Sequence, residues 1–258
     1  MGIVNLTPDS FSGDGLASDV DRAVAHARSQ VDAGADILDL GAESTRPGIA
    51  PTPLQEELDR LLPVLERISG WGVPVSIDTY KPEVMAAALA AGADMVNDIS
   101  GLRDPRALEV VADSNCGVCL MHMQGEPRTM QQHPVYHEVV ADVRAYLAER
   151  VAVCRQAGIA VERIVVDPGF GFGKTLEHNL ALFRELRALA ADGHPVLVGV
   201  SRKSMLGAIT GRPVEARQAA SVAAALLAAQ RGAAILRVHD VAETRDALAV
   251  WAAIEKGR

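Results

Sequence analysis

Residues Val73–Asp98 read VPVSIDTYKPEVMAAALAAGADMVND. The stretch opens on an apolar run, Val73–Ile77, that ends at Asp78. A helical pattern follows over about 81–91, then Ala91-Gly92-Ala93, then a second apolar run, Met95–Asn97, with Asp98 behind it. Glycine just past a helix supplies the left-handed cap that turns the chain into the next strand. Apolar runs rich in Val, Ile and Leu that do not alternate with polar residues are how strands buried on both faces read. The stretch therefore reads as strand, helix, parallel strand.

The same unit recurs in both directions. Further apolar runs are Gly2–Asn5, Asp36–Leu40, Gly117–Met121, Arg163–Val166, Pro195–Val200 and Ile235–Val238. Helical patterns lie over about 18–33, 53–69, 104–113, 135–157, 176–191, 215–231 and 241–256, and Ala33-Gly34-Ala35 and Arg231-Gly232-Ala233 repeat the cap signal. No linker, low-complexity stretch or shift in composition interrupts the alternation, so residues 1–258 read as a single domain. Strand–helix alternation implies a parallel sheet, and eight such units match a (β/α)₈ TIM barrel. An open doubly wound sheet is the rival arrangement. The first strand begins almost at Met1, which predicts a thinly covered barrel floor.

Composition bounds the function. Of 258 residues, 49% are hydrophobic and 22% charged, which supplies a sizeable core and excludes wholesale disorder. Aromatic residues are only 3%, so that core is aliphatic. The net charge of −8 argues against a general nucleic-acid binder, which carries a basic footprint. The apolar stretch Ala219–Ala229 stops at Gln230 and Arg231, short of the ~20 residues a membrane-spanning helix needs. Nothing at the start of the chain reads as a secretory signal. Cys116 and Cys119 form a lone C-x-x-C without a second ligand pair, and on a strand they point to opposite faces. They read as packing rather than as a metal or redox site, in a chain of the reducing cytoplasm.

A barrel places its reactive side chains at the C-terminal ends of its strands. Polar residues occur at all eight ends: Asn5; Asp39 and Glu43; Asp78-Thr79; Asn97-Asp98; His122; Asp167; Ser201-Arg202-Lys203; and Arg237 with His239 and Asp240. Any one of them is explained as a helix cap or turn residue. All eight together read as a polar, concave active site. Loops after the last two strands of such barrels frequently bind phosphate, and here they supply Ser201, Arg202, Lys203, Arg237 and His239. Asn5, on the neighbouring strand, is placed to hold a hard cation such as Mg²⁺ beside that phosphate. On the opposite arc, Asp78, Asn97 and Asp167 suit the donor edge of a flat heterocycle. The alternative for the two acids is a salt bridge inside the barrel mouth.

Gly169–Thr175, GFGFGKT, has the look of a phosphate-binding P-loop, but the pattern needs glycine where this chain has Pro168. The glycines instead read as a loop that approaches a ligand closely, with Phe172 as an apolar wall.

The motifs Asn5-Leu6-Thr7-Pro8-Asp9-Ser10-Phe11-Ser12, Ser44-Thr45-Arg46-Pro47-Gly48, Ser76-Ile77-Asp78-Thr79, Val96-Asn97-Asp98-Ile99-Ser100-Gly101, Asp167–Lys174 and Ser201-Arg202-Lys203-Ser204 occur in order along almost the whole chain. In this respect the sequence resembles the dihydropteroate synthases. The first loop departs from them, reading Ser12-Gly13-Asp14-Gly15 where the family more often has Ser-Asp-Gly-Gly. The resemblance implies a pterin-binding (β/α)₈ barrel, a transferase of folate biosynthesis. Its reaction would condense 6-hydroxymethyl-7,8-dihydropterin diphosphate with 4-aminobenzoate to give 7,8-dihydropteroate and diphosphate.

By the same resemblance Asp78, Asn97, Asp167 and Lys203 would hold the pterin ring, with Met121 against its face. Asn5 would help bind Mg²⁺, while Arg237, His239 and Arg46 would hold the diphosphate. Thr45, Pro47, Phe172 and Ser204 would line the aminobenzoate site, where sulfonamides act as mimics. Asp78, Asp167, Lys203 and Arg237 are the expected catalytic residues of a dissociative, SN1-like substitution. The resemblance also implies a homodimer. Two other readings stand beside it: a catalytically silent relative that binds pterin, and a methyltetrahydrofolate:corrinoid methyltransferase, which would have no use for the cationic cluster.

Overall fold

Strands and helices alternate along a computed structural model of the chain, which describes residues 1–7, 19–44 and 48–256. The order is β1 (Gly2–Asn5), α1 (Val20–Asp32), β2 (Leu38–Gly41), α2 (Leu54–Ile68), β3 (Val75–Asp78), α3 (Pro82–Ala90), β4 (Met95–Asp98), α4 (Pro105–Ala112), β5 (Gly117–Met121) and α5 (Val139–Gln156). It continues with β6 (Ile164–Asp167), α6 (Leu176–Arg184), α7 (Leu186–Ala190), β7 (Leu197–Val198), α8 (Ser204–Thr210), α9 (Gln218–Gln230), β8 (Ile235–Leu236) and α10 (Val241–Lys256).

Strands β1 to β6 pair in sequence order, all parallel, and β7 pairs with β8. Two single bridges close the circle, Val166 to Val196 and Gly2 to Val238. The second seam is reinforced by Ile3 N–H donating to Val238 O and Val238 N–H to Met1 O, each at 3.0 Å. The result is a closed parallel barrel, as the alternation predicts, and not an open sheet.

Residues on a strand alternate between its two faces, and here that alternation separates core from site. Outward residues are aliphatic. Val4, Leu38, Leu40, Val75, Ile77 and Val238 pack under the helices on one side of the barrel. Val96, Val118, Leu120, Val166, Val198 and Val200 pack under those on the other, joined by the fully buried Phe170. At the bottom the inward residues Met1, Met95, Cys119 and Leu197 form an apolar plug. Cys116 sits in the outer core and Cys119 in the inner plug, so the C-x-x-C does point to opposite faces. Towards the strand ends the inward set becomes Asn5, Gly41, Asp78, Asn97, Met121 and Asp167.

The structure corrects three sequence expectations. The helix over 176–191 is two helices, broken at Glu185. Strand seven is shorter than Pro195–Val200, and α8 stands in what sequence reads as a loop. Among the described residues no helix is long and apolar enough to cross a membrane.

Candidate active site

A cavity of about 460 Å³ opens at the C-terminal ends of the strands. Its wall includes Asn5 and Thr7 from β1 and the turn after it, Gly41 and Asp78 from β2 and β3, and Phe172 and Lys174 from the loop after β6. Ser201, Lys203, Ser204, Arg237 and His239 close the other side. Asn97, Met121 and Asp167 are buried and are not part of that wall. Thr45, Arg46 and Pro47 lie outside the described residues, as does most of the first loop, residues 8–18.

Arg237 changes the expected picture. Its guanidinium bridges two carboxylates, with Nε donating to Asp39 Oδ2 at 2.6 Å and Nη2 to Asp78 Oδ2 at 2.8 Å. Acids and cations therefore do not occupy separate arcs: Arg237 reaches from the end of β8 to β2 and β3. Asp78 makes the salt bridge that the sequence offers as the alternative and stands in the cavity wall as well. Burial pushes the Asp78 carboxyl up to about 7, against the opposing pull of Arg237. Burial disfavours the charge on Arg237, but Asp39 and Asp78 outweigh it and leave this group more basic than usual.

Asp167 is held by its own loop, accepting from Gly169 N–H at 2.7 Å. Burial raises its pKa, while the charges of Lys203, Lys174 and Arg237 all act to lower it. The two ends of the site are thus within electrostatic reach of each other. Lys203 donates to Phe170 O and lies 4.7 Å from the centre of the Phe172 ring. Burial lowers it to about 8, and Asp167 works to keep it protonated. Met121 shares a buried cluster with Ile99, Met123 and Met130, against which Phe172 packs. His239 Nδ1 lies 2.9 Å from Ser201 Oγ, so these two form one polar pair at the rim. Ser204 opens α8 and is exposed.

Arg202 is a correction. Sequence places it in the anion-binding set, but its guanidinium is held by Asp240, Nη2 to Oδ1 at 2.5 Å. Its backbone has a positive φ of 58°, uncommon outside glycine, and its N–H donates to Ser221 Oγ. Arg202 therefore lines the cavity beside Ser201 and Lys203 with its guanidinium already neutralised by Asp240.

Lys174 confirms that GFGFGK is no phosphate loop. Its buried ammonium donates to Gly169 O at 2.9 Å and Phe172 O at 3.0 Å, and lies 2.9 Å from His122 Nδ1. Burial draws it down to about 7 and draws His122, with Lys174 beside it, to about 3. The lysine ties the loop into a knot. Gly169 is required within that knot: its φ is +68° and an added Cβ would lie 1.9 Å from His122 O.

Sequence reasoning also missed a buried network at the foot of the second loop. Lys81 Nζ joins Glu43 at 2.6 Å and Glu57 at 2.5 Å, and Tyr80 OH donates to Glu43 at 2.8 Å. Glu57 falls on the inner face of α2 and Lys81 just before α3, so only the fold brings them together. A carboxylate on the apolar face of a helix is the signal that would have found Glu57.

Among the described residues no group of three or more His, Cys, Asp or Glu is placed to hold a metal ion. Asn5, half-buried in the cavity wall, offers one amide oxygen. That fits Mg²⁺, which takes oxygen ligands, retains water and is commonly held through substrate phosphates. It does not fit a resident, all-protein metal centre.

The family model described as pterin binding enzyme matches residues 1–239. Dihydropteroate synthase of Neisseria meningitidis serogroup C is 53% identical over 98% of this chain and 92% of its own length. That of Escherichia coli K12 is 49% identical over 97% and 89%. A Yersinia pestis dihydropteroate synthase in complex with a sulfonamide drug superposes with a TM-score of 0.96 at 45% identity, covering 100% of this chain and 94% of that one. The Burkholderia cenocepacia enzyme complexed with 7,8-dihydropteroate gives 0.91 at 54% identity, covering 100% and 91%. The Xanthomonas albilineans enzyme with 4-aminobenzoic acid gives 0.92 at 53% identity, covering 99% and 92%.

Proposed function

The chain belongs to the pterin-binding enzymes, as one of the dihydropteroate synthases, and from that premise we propose how its own residues carry the condensation of 6-hydroxymethyl-7,8-dihydropterin diphosphate with 4-aminobenzoate. The observation that carries the assignment of roles is the joint placement of Asp78, Lys203 and Arg237 in one cavity wall, with Asp167 buried within reach of both cations.

In this reading Asp167, Asn97 and Asp78 accept the ring N–H and amino donors, and Lys203 donates to the ring's acceptor edge. Met121 packs beneath the ring. The diphosphate lies towards Arg237, His239 and Ser201. The C–O bond to the diphosphate breaks, its electron pair leaving with the phosphate oxygen. Positive charge then grows on the CH₂–pterin unit, where the carboxylates of Asp78 and Asp167 stabilise it. Charge-matched groups already fixed in a site of low dielectric are usually the largest single contribution to a rate. The amine of 4-aminobenzoate attacks, forming the C–N bond and releasing one proton. An arylamine is already unprotonated at neutral pH, so no strong general base is needed. Phe172 and Ser204, with Thr45, Pro47 and Arg46 from the second loop, would receive the aminobenzoate, and sulfonamides would compete with it there. Asn5 would hold Mg²⁺ against the diphosphate, where the ion offsets the negative charge of the leaving group.

Diphosphate release on mixing both substrates with Mg²⁺ tests this function. Multiple-turnover release that requires 4-aminobenzoate supports it. Ring binding without release, or multiple-turnover release indifferent to the amine, overturns it.

The chain is also assigned to the cytoplasm, in keeping with three buried free cysteines, and to a homodimer. Ile209, Leu227, Val250 and Ile254 are exposed on α8, α9 and α10, and α9 packs against each of the other two, so these helices would supply the apolar contact with a second copy. Sedimentation as a monomer at micromolar concentration would remove the dimer.

A further inference from the structure

Among the described residues, Asp39 is the one inward carboxylate that the reaction above leaves without a task. It lies on β2 two residues before Gly41, and Gly41 is in register with both Asn5 and Asp78. Side chains two apart share a face, so Asp39 occupies the layer beneath the cavity wall. It is fully buried. Its Oδ2 accepts from Arg237 Nε at 2.6 Å and from Asn97 Nδ2 at 3.4 Å, and its Oδ1 is buried with no hydrogen-bond partner.

Arg237 therefore has two unlike anchors. Asp39 is out of reach of any ligand. Asp78 stands in the cavity wall, about one-fifth exposed, with Arg237 Nη2 bound to its Oδ2. A ring that presents two adjacent N–H donors to Asp78 engages both carboxylate oxygens, and so competes with the arginine for Oδ2. A buried guanidinium that loses one partner must find another acceptor, because an unpaired buried charge is costly. Its Nε bond to Asp39 survives the exchange, and only the Nη edge needs to turn. The acceptor available within the same cavity is the ligand's own diphosphate.

We propose that Asp39 is a positioning residue, a buried pivot on which Arg237 exchanges Asp78 for the diphosphate when the pterin ring enters, so that the anion site is latent until the ring is bound. This rests on the dihydropteroate synthase reading and adds a specificity device to it. Inorganic phosphate and other stray polyphosphates meet an arginine already neutralised by two carboxylates. The ring and the diphosphate then bind with positive coupling. By linkage each strengthens the other by the same factor.

Calorimetric titration of inorganic diphosphate, at fixed Mg²⁺, tests the device with and without saturating 6-hydroxymethyl-7,8-dihydropterin, the alcohol that carries the ring but no phosphate. In the wild-type enzyme the alcohol should tighten diphosphate binding by at least ~5-fold, the lower end of common coupling strengths. Asp78→Asn removes the competing carboxylate, so diphosphate should bind tightly with or without the alcohol. Asp39→Asn removes the charged anchor that holds Nε while the Nη edge turns, so the alcohol should no longer tighten diphosphate binding. Wild-type affinities that do not differ, or coupling that survives unchanged in Asp39→Asn, overturn the proposal. Turnover intact alongside absent coupling removes this device alone, whereas failure of the alcohol to bind removes the pterin reading with it. If Asp39→Asn does not fold, Asp78→Asn decides: ring-independent tight binding supports the exchange, and persistent coupling refutes it.

Discussion

At the scale of single residues, the site depends on buried groups of opposite charge holding each other in the ionisation states the reaction needs. Asp167 and Lys203 are the plainest case, each opposing what burial does to the other. Removing one preorganised group from such a site typically costs on the order of 10²–10³ in rate. Steady-state assays of Asp167→Ala and Lys203→Ala should show that loss, and activity within about a factor of three of wild type would reject their roles. The pH dependence follows from the same environment. Asp78 has its pKa raised to about 7, so the carboxylate that accepts the ring donors forms as pH rises through that value. Lys203 is lowered to about 8, so its ammonium is lost as pH rises further. Because kcat/KM reports the free enzyme, its profile should be a narrow bell with those two limbs. Arginine stays protonated throughout, so Lys203→Arg should lose the alkaline limb even where its rate is low. A flat wild-type profile over roughly pH 6 to 9 would contradict the assignment. The residue types at these positions are legible in the sequence because they stand at strand ends. Their partners are not. Nothing in the chain's order says that Arg237 meets Asp39, and nothing in Ser201-Arg202-Lys203 says that the middle residue is paired with Asp240.

At the scale of elements, legibility follows how local the deciding physics is. Pro105 behind the capping Asp104, and Thr175 in a capping box with His178, place the starts of α4 and α6 from neighbours alone. The break at Glu185 has no Gly or Pro to announce it, since FRELRAL is good helix throughout. Strand seven is short because Pro195 has no N–H to donate and Val196 makes a single bridge. The helix α8 was signalled after all, by Gly211, which takes the left-handed cap at φ 69°. The loop after β6 is the element on which the site depends most. Asp167, the Phe170 carbonyl that accepts from Lys203, and Phe172 are all set by it, with Lys174 at its centre. Gly169→Ala tests that dependence. A left-handed backbone alone costs a non-glycine residue roughly 1–2 kcal/mol, and the clash at His122 O adds to it. Thermal unfolding should show a clear loss of stability together with loss of turnover. Gly70→Ala serves as the control: that glycine is exposed with nothing within 4 Å of an added Cβ, so the change should fall within about 0.5 kcal/mol of wild type. Equal effects of the two substitutions would show that the close approach at Gly169 does not matter.

At the scale of the whole molecule, the barrel is two packed halves sharing one cavity. Val4, Leu38, Val75 and their neighbours form one outer core, Val118, Val166, Phe170 and Val198 the other. The seams between β6 and β7 and between β8 and β1 are single bridges. Alternation of strand and helix made the closed ring legible, but not which residues bridge its two seams, because those partners lie far apart in sequence. The ligand lies across this division. Asp78 comes from the first half, Asp167 and Lys203 from the second, and Arg237 follows β8, whose Leu236 packs against both cores. A pterin diphosphate that touches all four staples the halves together and binds only the folded state. Free ligand at about 100 times its Kd then stabilises the fold by roughly 2.7 kcal/mol. For a chain of this size each kcal/mol raises Tm by about 2–4 °C, so the shift should be roughly 5–11 °C. Thermal scans across a ligand series should show Tm climbing with the logarithm of concentration. Lys203→Ala should flatten that climb by raising Kd. A wild-type Tm indifferent to ligand would mean that the molecule does not span the two halves, and the roles given to Asp78 and Asp167 in gripping one ring would fail together.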